Sequence, residues 1–72
     1  MNFEITDKRE YTTTHWYIES ENDTYNVICQ EGDLEDEWFI TSDEEGELDR
    51  YSEIAKELIG MCNSDNSKPS DY

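Results

Sequence analysis

The chain has 72 residues, of which 20 are Asp or Glu and 5 are Lys or Arg, so its formal net charge is −15 at pH 7. A chain of this length holds one domain with one small core. Nucleic acid and anionic lipid are poor direct partners, because proteins usually bind them through Lys and Arg that neutralise phosphates. We therefore expect no direct nucleic-acid binding and no membrane association, and basic proteins remain as the class of partner.

The N-terminal residues show no sign of an export signal, because Met1–Ile5 has neither a basic flank nor a continuous apolar stretch. No apolar run approaches the ~18 residues of a membrane helix. Cys29 and Cys62 are too few and too far apart to indicate a disulfide framework or a zinc site. We expect a cytoplasmic protein in which both thiols are reduced and lie in the core.

Four strands are predicted in the first part of the chain. In the first, Phe3 and Ile5 alternate with polar residues, and the second and third are rich in β-branched and aromatic side chains. Polar and Gly-containing segments separate the strands, and the last of these segments is the turn-rich stretch 42–46. The predicted strands cover residues 2–8, 12–20, 25–30 and 38–41.

A helix is predicted after Gly46, where the apolar period changes from two to 3.6. Asp49 is the expected N-cap, and Gly60 is the expected C-terminal stop. The segment 63–72 consists mostly of Ser, Asn, Asp and Pro and has little to bury, so we expect it to be a disordered tail. The apolar stripe of the helix consists of Leu48, Tyr51, Ile54, Ala55, Leu58, Ile59 and Cys62.

Short connections favour an α+β fold: a four-stranded antiparallel β-meander with one C-terminal helix packed on one face. The single domain would cover residues 1–62. Alternation along the strands assigns the following residues to the core face: Phe3, Ile5, Trp16, Ile18, Val27, Cys29, Trp38 and Ile40.

Tyr17, Ile28 and Phe39 then share the opposite face of the sheet, on three neighbouring strands that the single helix does not cover. A contiguous apolar patch on a small domain often marks an interface. Four interpretations stay open: the patch binds a partner, it forms a homodimer, a loop or the tail covers it, or the three are scattered surface residues that need no explanation.

Acidic residues are segregated along the chain. The interval between Arg9 and Arg50 contains no Lys or Arg and fourteen Asp and Glu. In extended backbone, every second side chain lies on one side at a spacing of about 6.6 Å, which is comparable to the separation of consecutive phosphates on one nucleic-acid strand. The acids form three tracts, in each of which a run has every second residue acidic: Glu19, Glu21 and Asp23; Glu31, Asp33, Glu35, Asp36 and Glu37; and Asp43, Glu44, Glu45, Glu47 and Asp49.

These tracts are the predicted partner-binding residues, apart from Asp49, and Tyr17 and Phe39 are the predicted aromatic anchors. The alternative interpretation is that each tract is only a solvated surface. Carboxylate rows at phosphate spacing would fit the Arg and Lys sites of a nucleic-acid-binding groove.

Catalytic chemistry is not indicated. His15 is the single histidine and is expected at the surface or at a sheet edge, and neither cysteine lies beside a basic residue that would stabilise a thiolate. An EF-hand loop aligned on Gly46 or Gly32 lacks the required ligands at its first position, which would be Thr41 or Val27. We expect a non-enzymatic protein with no catalytic residues, no metal and no cofactor.

In size, charge, segregated acidic tracts and unmatched apolar patch, the chain resembles the small acidic inhibitors of bacteriophages, such as anti-CRISPR and antirestriction proteins that mimic DNA. The resemblance is to a class and covers no diagnostic motif. It implies an inhibitor that acts in the host cytoplasm and blocks the DNA- or RNA-binding groove of a defence or transcription protein. Two other classes stay open: an immunity or antitoxin protein that neutralises a basic toxin, and an accessory domain whose acidity serves solubility alone.

Overall fold

Five strands form one antiparallel sheet in the order β1-β2-β3-β4-β5 in the computed structural model, which describes residues 2–65. One helix, α1, follows the sheet and packs on one of its faces. The predicted α+β class, the antiparallel arrangement and the single C-terminal helix are confirmed. The elements are β1 Glu4–Glu10, β2 Thr13–Glu19, β3 Thr24–Gln30, β4 Glu37–Ser42, β5 Gly46–Leu48 and α1 Glu53–Ser64.

The predicted number of four strands is wrong, because β5 pairs with β4 at the edge of the sheet. Gly46 has a φ of 78°, a left-handed conformation that glycine adopts without steric cost, and it lets the chain turn back onto β4. A strand of three residues is too short to show alternation in the sequence. Leu48 therefore belongs to β5 and not to the helix, contrary to the prediction.

Strand β1 begins and ends two residues later than the predicted segment 2–8. Its register with β2 shifts between Ile5 and Asp7, which is a β-bulge. Beyond the bulge Lys8 pairs with Trp16, whose indole lies in the core, while Arg9 pairs with His15 on the other face. The bulge thus turns one basic side chain toward the helix and the other toward the uncovered face.

The helix begins later than predicted. Its N-cap is Ser52, whose hydroxyl accepts a hydrogen bond of 3.3 Å from the Ala55 amide, so the assignment of Asp49 as N-cap is wrong. Asp49 instead shapes the preceding turn, since its carboxylate accepts from the Tyr51 amide at 2.9 Å. Tyr51 is exposed and lies outside the apolar stripe to which the helical period assigned it.

The helix also ends later than predicted. Gly60 lies inside α1, which continues to Ser64, so the first two residues of the predicted tail are helical. Asp65 caps this end and ties it to the sheet: its Oδ2 accepts from the Trp16 indole at 3.1 Å and lies 3.4 Å from the Lys8 ammonium. The rest of the predicted tail, residues 66–72, lies outside the described residues.

The core lies between α1 and one face of the sheet. The predicted inward side of the strands is confirmed, although Phe3, Ile5, Cys29 and Trp38 are only half-buried around its margin. Tyr25 was not predicted here, but it shares the inward side of β3 with Val27. α1 has 12 residues, and no helix within residues 2–65 is long and apolar enough to cross a membrane. The buried residues are Trp16, Ile18, Tyr25, Val27, Ile40, Ala55, Leu58 and Cys62.

Candidate acidic interface

Antiparallel pairing distributes the three acidic tracts over the two ends of the sheet. The turn between β2 and β3 and the turn between β4 and β5 lie at one end, which we call the turn end; the loop between β3 and β4 lies at the other, which we call the loop end. Glu47 belongs to neither and lies in β5, opposite Thr41. The turn end contains Glu19, Glu21, Asp23, Asp43, Glu44 and Glu45, and the loop end contains Glu31, Asp33, Glu35, Asp36 and Glu37.

Hydrogen bonds join the first and third tracts at the turn end. The Asp43 amide donates to the Thr24 carbonyl at 3.0 Å, and the Glu44 amide donates to Asp23 Oδ1 at 3.3 Å. Glu4, at the start of β1, pairs in register with Glu19 and adds a carboxylate to this end. Two tracts that are 20 residues apart in the sequence therefore form one acidic surface.

Asp23 has a structural role that its neighbours in the tract lack. Its carboxylate accepts hydrogen bonds from the Ser42 hydroxyl, from the Thr24 amide at 2.8 Å and from the Glu44 amide. The hydrogen bond from Ser42, followed by those from the backbone, lowers the pKa of Asp23 below its usual value. Asp23 is half-buried, so most of its accepting capacity serves to hold two turns together rather than to face a partner.

We expect the Asp23→Asn substitution to lower the melting temperature at pH 7. Because the pKa is lowered in the folded state, the stabilisation by Asp23 is present above the unfolded pKa, near 3.8, and is lost as the pH falls through the folded pKa. The difference in melting temperature between the wild type and the variant should thus be constant from pH 7 to about pH 5 and shrink below that. Thermal unfolding followed by circular dichroism measures this difference in melting temperature. A difference that is as large at pH 2 as at pH 7 would contradict this role of Asp23.

The loop end has no regular structure between Gln30 and Glu37, and its backbone bends at residues 33–35. Gly32 allows this path, because a Cβ at this position would collide with the Glu35 carbonyl oxygen. All five acidic side chains of the loop end are exposed. The bends mean that the expected row of carboxylates at strand spacing is wrong here, and it is also wrong at residues 43–45, which form a turn.

The acidic residues of both ends carry uncompensated charge. The ion pairs within residues 2–65 join Lys8 to Asp65 and Arg9 to Asp7. None of the fourteen acids between Arg9 and Arg50 takes part in an ion pair in this part of the chain. Of the twelve predicted partner-binding acids, all but Asp23 are exposed. Both ends are therefore strongly negative surfaces.

The face of the sheet opposite α1 lies between these two ends and is aromatic and apolar at its centre. Ile28 pairs directly with Phe39 on one side and with His15 on the other, so the three form a row across β2, β3 and β4. Tyr17 stacks on His15 with ring centroids 4.3 Å apart. Tyr17 and Ile28 are half-buried and Phe39 is exposed, and the structure brings all three together as the alternation predicts.

Several residues of this surface were missed by sequence reasoning. His15, expected at the surface or at a sheet edge, lies on the outward face of the inner strand β2, so the edge position is wrong, and its ring is 3.3 Å from Asn26 Oδ1. Alternation would have placed it beside Tyr17, two residues away. Arg9 reached this face only through the bulge, which no sequence pattern indicated. Leu34, at the centre of the acidic loop, is fully exposed. Its position between acidic residues in the sequence could have predicted this exposure.

The two thiols are unsuited to nucleophilic chemistry at neutral pH. Burial, assisted by the nearby Asp65, raises the pKa of Cys62 to about 12. Burial and the charges of Asp36 and Glu31 raise the pKa of Cys29 as well. Both cysteines are free, as expected, although Cys29 is only half-buried. Among residues 2–65 no group of three or more His, Cys, Asp or Glu has an arrangement that could hold a metal ion.

The candidate site therefore consists of two exposed acidic ends and an aromatic sheet face between them. A strand of seven residues spans about 23 Å, so the two ends are roughly 20 Å apart. The structure extends 31 × 28 × 20 Å, so the separation of the two ends is a large part of its longest dimension. Comparison with protein-family models, curated proteins and solved structures finds no match to this chain.

Proposed function

We propose that this protein is an acidic inhibitor that mimics nucleic acid and blocks the basic DNA- or RNA-binding groove of a host defence or transcription protein, such as a CRISPR effector or a restriction enzyme. It would act in the host cytoplasm, by binding and without catalysis. The observation that carries the proposal is the accumulation, at both ends of the sheet, of exposed carboxylates that have no ion-pair partner among residues 2–65. A surface of this kind attracts a cationic groove at long range and accelerates association.

The distance between the two ends supports mimicry of a nucleic-acid strand over a stretch rather than at one phosphate. An interval of roughly 20 Å corresponds to about six phosphate steps along the axis at 3.4 Å each. The carboxylates are clustered at the ends of this interval and are not evenly spaced along it. The protein would therefore engage two basic patches of a groove, one with each acidic end.

The aromatic face of the sheet supplies binding energy that does not depend on charge. Exposed ion pairs contribute little to affinity at physiological salt, whereas buried aromatic anchors contribute binding energy that salt does not screen. Tyr17 and Phe39 lie on the surface that connects the two acidic ends. Acidic ends would thus guide the encounter, and the sheet face would hold the complex.

Competition with nucleic acid tests the proposal. The chain is immobilised, partners are captured from a nuclease-treated host lysate and identified by mass spectrometry, and the dissociation constant of the main partner is measured with and without duplex DNA or single-stranded RNA. We expect nucleic acid to displace the partner competitively. The affinity should also fall about tenfold or more between 50 and 200 mM salt.

An immunity or antitoxin protein would give a different result, because such a protein can bind its toxin outside the nucleic-acid groove. A specific partner that saturating DNA and RNA fail to displace would argue for that class. The absence of any saturable partner at 50 mM salt would leave only the role of an acidic accessory domain and would end the inhibitor proposal.

A further inference from the structure

On the sheet face opposite α1, Phe39 is more exposed than its apolar neighbours: 46% of its surface is exposed, whereas Tyr17 and Ile28 are half-buried. It lies in β4, which is the inner neighbour of the short edge strand β5. Ile28 is its cross-strand partner in β3, so an apolar side chain lies beside Phe39 on the same face. Phe39 thus has an apolar neighbour on one side and remains open to solvent.

Carboxylates flank Phe39 on the same face. Glu37 precedes it by two residues in β4 and so lies about 6.6 Å along the strand. Glu47 lies opposite Thr41, the outward residue that follows Phe39, and is therefore a diagonal neighbour at roughly 7 to 8 Å. Both glutamates are exposed and without ion-pair partners within residues 2–65. The environment of the ring is therefore anionic on two sides.

Arg9, which the bulge in β1 places on this face, is remote from Phe39. Arg9 lies in β1, three strands away, at a distance of about 14 Å. Its guanidinium is 3.2 Å from the Asp7 carboxylate, which together with Tyr11 raises the pKa of Arg9. This pairing offsets the charge of Arg9 locally. Arg9 therefore adds little positive potential at Phe39.

Charge decides what kind of occupant this surface fits. A second copy of the chain would bring another net charge of −15 against the same surface, so self-association is disfavoured. A cationic side chain is favoured both by Glu37 and Glu47 and by the negative face of the aromatic ring. Arginine fits better than lysine, because its guanidinium is planar, weakly hydrated and able to stack on a ring while it donates to a carboxylate.

We propose that Phe39, Glu37 and Glu47 form an arginine-binding subsite for a side chain of the basic partner. The guanidinium stacks on the outer side of the Phe39 ring and donates hydrogen bonds to the Glu37 or Glu47 carboxylate, while its aliphatic stem packs toward Ile28. This inference rests on the proposed function and deepens it. The arginine that contacts Phe39 would be one with which the target protein otherwise contacts its nucleic acid.

Two peptides of equal charge test the subsite, octa-arginine and octa-lysine, with binding measured by isothermal titration calorimetry at 150 mM salt. The acidic ends attract both peptides alike, whereas the subsite favours arginine. We expect the wild type to bind octa-arginine about three- to tenfold more tightly than octa-lysine. Phe39→Leu, which keeps an apolar side chain, should reduce this preference to less than twofold and leave octa-lysine binding unchanged. Phe39→Tyr should retain the preference.

The glutamates are tested separately with the E37Q/E47Q variant, which should lose most of the arginine preference while Phe39 is intact. D43N/E45Q removes the same number of charges from the turn end and should retain the preference for octa-arginine over octa-lysine. Equal affinity of the wild type for the two peptides, or a preference that survives Phe39→Leu, would overturn the subsite. Either result leaves displacement by nucleic acid unaffected, so the two proposals fail independently.

Light scattering checks the competing occupant. The wild type is expected to be monomeric up to about 100 μM, because like charge opposes contact between two copies. A concentration-dependent dimer that Phe39→Ser abolishes would show that a second copy covers this face, and the arginine proposal would then be wrong.

Discussion

Neutralising the loop end with E31Q/D33N/E35Q/D36N is expected to weaken binding to the captured basic partner about fivefold to several hundredfold at 50 mM salt. The four carboxylates are exposed, and each charge contact of this kind contributes about 0.2 to 1 kcal/mol. Their sum is about 1 to 4 kcal/mol, and every 1.4 kcal/mol is a factor of ten in affinity. Titration calorimetry measures the loss.

The effect should come from association more than from dissociation, because peripheral charges act mainly on the encounter rate. The variant should remain folded and be equally or more stable than the wild type, since like charges are removed from a chain of net charge −15. Raising the salt concentration should bring the two proteins closer in affinity.

A matched pair of variants separates position from total charge. D33N/E35Q removes two charges from the loop end, and E53Q/E57Q removes two exposed charges from α1, on the opposite side of the sheet. Only the first should weaken binding appreciably. Equal losses for the two variants would mean that net charge acts without a defined surface, which is the behaviour of an acidic accessory domain.

Leu58→Ala is expected to lower the free energy of unfolding by about 2 to 5 kcal/mol. The Leu58 side chain is completely buried between α1 and the sheet, where it joins Ile18, Val27 and Ile40 in the core. A chain of 72 residues has a total stability of roughly 4 to 11 kcal/mol, so this single cavity removes a large part of it. Urea unfolding followed by tryptophan fluorescence reports the change, since Trp16 lies in the same core.

Glu57→Ala is the control for this core substitution, because residue 57 is the exposed neighbour of Leu58 in the same helix. Its effect should stay within about 0.5 kcal/mol. If Leu58→Ala also changed stability by less than 1 kcal/mol, α1 would not be held to the sheet by this residue. In that case other residues would have to pack on the core face of the sheet and bury it.

The periodicity of apolar residues in the sequence identified most of the strands and many of the core residues. Alternation in residues 16–18 and 38–40 assigned Trp16, Ile18 and Ile40 to the core side, because side chains in a strand point to opposite faces with a period of two. The helical period of Ala55, Leu58 and Cys62 likewise identified the buried side of α1. These patterns are set by residues close in the chain.

Hydrogen bonds at the ends of elements were not predictable in the same way. Asp49 and Ser52 are both good capping residues, and only the path of the chain out of β5 decided that Ser52 caps α1. Gly60 was expected to end the helix, but packing of Leu58 and Cys62 on the sheet holds the helix through it, at the small cost of a glycine in a helix interior.

The sequence by itself determined that the charge is segregated, that the fold is α+β with one amphipathic helix, and that Tyr17, Ile28 and Phe39 share a face. Only the tertiary structure decided that the first and third acidic tracts meet at one end while the second lies at the other. It also decided that Asp23 holds two turns together. The reason is physical: composition and alternation are local properties, whereas the neighbours of a turn depend on which strands pair and in what register.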